Sequence, residues 1–123
     1  MTNSHSQIYY KGTLQHFNEH SSYDLKRMYV QALGLDKNFI KVMCDYSATA
    51  VWNWDGCNCS YEDYPLSKET IALMEVWTTW HDKWNETHSN NFHNFEQFHC
   101  LGELIFHRVI EELPDYIVQI ENY

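Results

Sequence analysis

Three groups of residues have types and spacings that chemistry can use. His16, Glu19 and His20, in the run HFNEH, match the pattern H-x-x-E-H. In that signature two histidines one helical turn apart bind zinc and the glutamate activates water. Cys57 and Cys59 form one tight C-x-C pair inside WNWDGCNCSYEDYP, residues 52–65. His81 stands beside Asp82, and His88, His93, His99 and His107 follow it along the second half.

Each group lacks something its chemistry requires. The zinc signature needs a helix through both histidines, whereas a capping pattern at Ser21 predicts a break directly after His20. Structural zinc takes four ligands, commonly as two C-x2-4-C or H-x3-5-H pairs. No second cysteine pair accompanies Cys57 and Cys59, and nothing in the sequence brings Cys44 or Cys100 to them. A disulfide between residues two apart would be strained. Residues i and i+1 of a helix do not face each other, so His81 and Asp82 are expected to act separately. No glycine-rich phosphate loop is present. The reading is therefore non-enzymatic, with no catalytic residue, no metal and no cofactor. A small zinc hydrolase using His16, Glu19 and His20 is the alternative from a different class.

The 52–65 stretch also has the composition of a contact surface. Trp52, Trp54, Tyr61 and Tyr64 are residue types that dominate binding hot spots, and Asp55, Glu62 and Asp63 lie among them. Acids around aromatic anchors suit a basic protein patch, such as a nuclease cleft that must hold phosphates. Glu69 and Asp82, on the helix that follows, would add steering charge. The sequence supports equally an ordinary acidic loop with its rings tucked into the core.

Charge narrows the partners. The chain has 123 residues and a formal net charge of −9. Residues 1–61 carry five basic and five acidic side chains, so the excess lies wholly in residues 62–123, with three basic and twelve acidic. Such a chain repels nucleic acid and anionic membrane and attracts cationic partners. The start, MTNSHSQIYY, lacks the form of a secretory signal, and no apolar run reaches membrane-spanning length. A cytoplasmic protein with reduced cysteines is expected. Monomer and homodimer are both open.

The elements that must position these residues follow from spacing. One domain is expected at this length, with residues 1–20 an arm or strand of uncertain packing. Residues 21–33 predict a helix, with Ser21 and Asp24 as a capping box. Leu25, Met28, Tyr29 and Leu33 form its inner face, and Gly34 closes it. Phe39–Asp45 and Ala48–Trp54 read as strands. A long helix begins at Ser67 with Ile71, Leu73, Met74, Trp77, Trp80 and Trp84 on its apolar stripe. A second begins at Asn94, carries Phe95, Phe98, Leu101, Ile105, Val109 and Leu113, and stops at Pro114. Gly102 in its middle costs about 1 kcal/mol against alanine, which predicts a close neighbour there. Residues 116–121 read as a final strand. The two long helices, joined by the short THSNNFHN turn, are expected to form an antiparallel hairpin, so the strands before and after it run antiparallel and the fold is α+β. A small antiparallel sheet is covered by the hairpin plus an N-terminal helix.

The strand IKVMCDYSATAVW, the YPLS lead into a Trp-rich helix, the LGELIFHRVIEEL helix with its central glycine, and the closing YIVQIE strand resemble one family of short bacterial proteins. These are the small immunity proteins of polymorphic and contact-dependent growth inhibition toxin systems. The resemblance runs from Phe39 to Glu121 and leaves out residues 1–37 and the paired cysteines. It implies binding and neutralising a cognate toxin by occlusion, with no catalytic residues. A phage-type acidic inhibitor of a host defence nuclease would show the same acidity and is the alternative binding protein.

Overall fold

A computed structural model of the chain describes residues 5–17, 28, 30–34, 38–87 and 95–122. Within these the strands are β1 (His5–Tyr10), β2 (Thr13–Phe17), β3 (Asn38–Met43), β4 (Val51–Trp52) and β5 (Tyr116–Asn122). The long helices are α1 (Lys68–Thr87) and α2 (Phe95–Glu112), and a 3-10 turn spans Tyr61–Asp63. The sheet order is β2-β1-β5-β3-β4. The class is α+β, as expected.

The sheet is mixed. β3 and β5 run parallel, with Ile40 opposite Val118 and Val42 opposite Ile120. The strands before and after the helical hairpin, β4 and β5, run in opposite directions as expected. The sheet is not wholly antiparallel, because it is β3 that pairs with β5, and β4 turns back on β3, with Val42 opposite Val51. That adds one reversal before the hairpin begins. β4 is also shorter than the predicted 48–54 strand, since the chain leaves the ladder after Trp52 and makes only a single further bridge to Asn58.

Residues 5–17 form a β-hairpin whose outer strand is β2 and whose inner strand pairs with β5. Its two-residue loop, Lys11-Gly12, has both residues at positive φ (45° and 90°). That is the twist which suits a tight hairpin, and it explains a glycine at the second position.

Both faces of β5 are covered. Val118 and Ile120 pack with Ile40, Val42, Met74, Trp77, Ile105, Phe106 and Val109 under the long helices. Ile117 points the other way, onto Ile8 and Val30. The described part of the N-terminal helix, residues 28 and 30–32, lies on this second side. Here the inner face differs from expectation: Val30 is buried, while Met28 is 64% exposed. Ser21, Asp24, Leu25 and Tyr29 lie outside the described residues. Gly34 closes the segment as predicted, with φ 99° and its N–H on Gln31 O (3.0 Å).

The helical hairpin is fastened at two levels. Trp77 is fully buried, stacks on Phe98 at 5.3 Å and donates its indole N–H to Phe98 O (3.1 Å). At the other end Ser67 caps α1, its Oγ accepting the Thr70 N–H (3.2 Å). Glu112, from the last turn of α2, completes that cap. Its carboxylate accepts from Ser67 N (2.7 Å), Ser67 Oγ (2.9 Å) and Thr70 Oγ1 (2.6 Å). Arg108 closes the network, donating Nε–H to Thr70 Oγ1 (2.9 Å) and pairing with Glu69 (3.3 Å). A carboxylate at a helix N-terminus meets orphan N–H groups and a favourable dipole. Among the described residues no helix is long and apolar enough to cross a membrane.

Candidate functional site: the 52–65 loop beside the first long helix

Leaving β4, the chain makes a turn held by Asn53, whose N–H donates to Cys57 O (3.0 Å) and whose side chain accepts from Cys57 N (3.0 Å). Gly56 sits in it at φ 80°. Asn58 then reaches back, donating to Thr49 O and Val51 O (both 3.1 Å). Ser60 begins the 3-10 turn, its N–H donating to the Asp63 carboxylate (3.0 Å). Short polar side chains bonding to nearby backbone make such loops rigid.

The four rings of the loop are half-buried, and the polar atoms of three of them, Trp52, Tyr61 and Tyr64, bond to backbone. Trp52 donates its indole N–H to Met43 O (3.0 Å). Tyr61's hydroxyl accepts from Ala50 N (3.2 Å), and Tyr64's donates to Phe39 O (3.3 Å). Trp54 packs edge-on against Phe39 at 5.3 Å. Burial raises both phenols above their ordinary range, and for Tyr64 the Cys59 thiol adds to the effect. What the loop presents outward are Asp55, Cys57, Glu62 and Asp63, all exposed.

The predicted contact residues Trp52, Trp54, Asp55, Tyr61, Glu62, Asp63 and Tyr64 thus share one loop on the flank of α1. Tyr61's hydroxyl lies beside Thr78 and Glu75 of that helix. Glu69 stands at the start of α1, its side chain 82% exposed although paired with Arg108. Asp82, about 20 Å further along the axis, is partly buried and accepts the Ser47 N–H (3.3 Å). Glu112, another acid of this strongly charged half, is held inside the cap network. Burial would raise its carboxyl, but the bonds from Ser67 and Thr70 and the Arg108 charge outweigh it and hold the group below its ordinary value.

His81 and Asp82 do touch, with Nδ1 3.5 Å from Oδ1. His81 is tucked inward with its ring near Phe98 and Asp82 is itself only partly exposed, so the two meet although successive residues of a helix usually diverge. The adjacent Cys44 is buried. Burial, and then the Asp82 charge, push its thiol far up, so it is a protonated core thiol.

Cys44, Cys57, Cys59 and Cys100 are free. Among the described residues no three or more His, Cys, Asp or Glu side chains are placed to hold a metal. His16 lies in strand β2, not on a helix, with its ring Nδ1 3.1 Å from Gln7 Nε2. Glu19 and His20 lie outside the described residues. The helical setting that the zinc signature requires is therefore missing at its first histidine.

Two features escaped the sequence reading. The Ser67–Thr70–Glu112–Arg108 network joins residues some forty positions apart, and only its Ser67 end had a local signature. Val76 and Leu104, 43% and 48% exposed, fall on the polar side of their helices, where single apolar residues carry no periodic signal.

Residues 38–121, more than half of the chain, match the model of a family described as Serratia CdiI immunity protein-like. The match runs from the first residue of β3 into β5, so it takes in the candidate loop and both long helices and leaves out the β1–β2 hairpin. No curated protein matches the chain.

Proposed function

The chain belongs to the Serratia CdiI immunity protein-like family, and from that premise we propose that it neutralises its cognate contact-dependent growth inhibition toxin by laying an acidic face over a cationic active-site cleft. The toxin domain is a nuclease on this reading, acting in the cytoplasm, a reducing compartment that suits four free thiols. The immunity protein performs no reaction.

One observation carries the reading. Trp52, Tyr61 and Tyr64 spend their polar atoms on the protein's own backbone, while Asp55, Glu62 and Asp63 are exposed. A pre-ordered set of carboxylates loses little entropy on docking and can take the positions that phosphates would occupy. Trp52, Trp54, Tyr61 and Tyr64 hold that set in place and offer their remaining exposed edges to the partner. Glu69, Glu75 and Asp82 extend the acidic field along α1.

The test uses the cognate toxin domain, with its activity removed by mutation. Asp55→Lys and Glu62→Lys are expected to slow association by about tenfold together at low salt and to flatten its salt dependence. Association rates that match the unaltered chain would remove this loop from the interface.

A further inference from the structure

We infer that the outer seam between α1 and α2 is a second contact surface for the same partner, a protein domain with a cationic face. The inference rests on the toxin-binding reading above and says where else that partner touches.

The seam is defined by four residues. Arg108 of α2 reaches Glu69 of α1 at 3.3 Å. Leu104 lies one helical turn from Arg108 on the same stripe, and Val76 lies two turns from Glu69 on its own. The helices are antiparallel, so both steps lead the same way along the hairpin. Val76 and Leu104 therefore lie on the same outer side of the helical hairpin, beyond the Arg108–Glu69 pair. They are the exposed large apolar side chains of the two helices among the described residues. Leu73, Trp80 and Leu101 are half-buried against the core and continue the apolar surface inward. Val76 and Trp80 line a shallow groove of 290 Å³ with Glu75, Thr79 and Lys83.

Charge selects the occupant. Glu69, Glu75 and Glu111 are exposed on these helices, and the chain's net charge of −9 arises entirely from residues 62–123. A second copy of this chain would bring the same acids against their equals, and an anionic membrane or nucleic acid would meet the same repulsion. A cationic protein gains from the acids and buries the apolar strip, the arrangement of a hot-spot core inside a polar rim.

Size points the same way. A stable interface engages about 20–30 residues a side, more than the 52–65 loop supplies. That loop lies against α1, where Tyr61 meets Glu75, and Glu75 also lines the groove beside Val76 and Trp80. A partner seated on the exposed face of α1 reaches both.

Val76→Asp and Leu104→Asp alter exposed positions, so thermal melting should stay near that of the unaltered chain. Against the inactivated cognate toxin domain, each is expected to raise Kd about tenfold, mainly through faster dissociation. Unchanged Kd in both variants, with Glu62→Lys still slowing association, would overturn the seam and leave the loop reading standing. An unaltered chain that fails to bind that domain would overturn both. Light scattering that shows a dimer dissociated by Val76→Asp would assign the seam to a second copy instead.

Discussion

Asn122, on the last strand, lays its side-chain amide against Gly102 of α2. A Cβ at Gly102 would come within 2.7 Å of both amide heteroatoms, and Nδ2 donates to His99 O (3.0 Å) in the turn before. Asn122 is fully buried, so it has little room to yield. The glycine thus sets how closely the helix lies on the end of β5.

Gly102→Ala should therefore destabilise the fold by about 1–2 kcal/mol, even though alanine favours a helix by about 1 kcal/mol. Asn122→Ala should relieve the clash, so that the double variant loses less than the two single losses added. Urea unfolding of the four proteins measures this. Strictly additive losses would mean that the two residues do not press on each other.

Glu112 links stability to pH. Its folded carboxyl titrates below its ordinary value of 4.5, so the stability it confers is complete above that pH and is lost as pH falls through the folded value. Glu112→Gln should cost about 2 kcal/mol at pH 7, the scale of hydrogen bonds to a charged acceptor. The gap between variant and unaltered chain should narrow steadily below pH 4.5. A gap that stays constant from pH 7 to 3 would show that the charge of Glu112 contributes nothing.

Tyr64→Phe removes one hydroxyl, 3.3 Å from Phe39 O, without changing charge or ring. Loss of a neutral hydrogen bond predicts a cost of about 1 kcal/mol and faster amide exchange through residues 60–64. Toxin association should keep its salt dependence while dissociation quickens. Unaltered exchange in the loop would show that the hydroxyl does not pin it.

The four thiols should separate by reactivity. Cys57 and Cys100 are exposed, whereas Cys44 is buried and its thiol is pushed far up. A thiolate-selective reagent at pH 8 should label Cys57 and Cys100 in the folded protein and reach Cys44 only after unfolding. Rapid native labelling of Cys44 would refute its placement under α1.

The parts of this fold that were legible in the sequence are those with a long period or a hard local rule. The α1 stripe, the Ser67 cap, the stop at Pro114 and the last strand all have such signals, and Gly102 announced a close neighbour, though not that it was Asn122. Other features depend on partners distant in sequence. The parallel pairing of β3 with β5 hinges on β4, whose two ladder residues leave almost no alternating pattern. Glu112 looks like any acid near a helix end until Ser67 and Thr70 are brought to it. The candidate loop was visible as composition, but aromatic residues serve cores and interfaces alike. Only the hydrogen bonds of Trp52, Tyr61 and Tyr64 show which way the polar atoms turn.

β5 stands between β1 and β3 in the sheet and is the latest of these elements to leave the ribosome. Without residues 116–122 the β1–β2 hairpin and the β3–β4 pair would each present one further open strand edge and would share no ladder. The final strand fills that gap and makes one sheet of two halves.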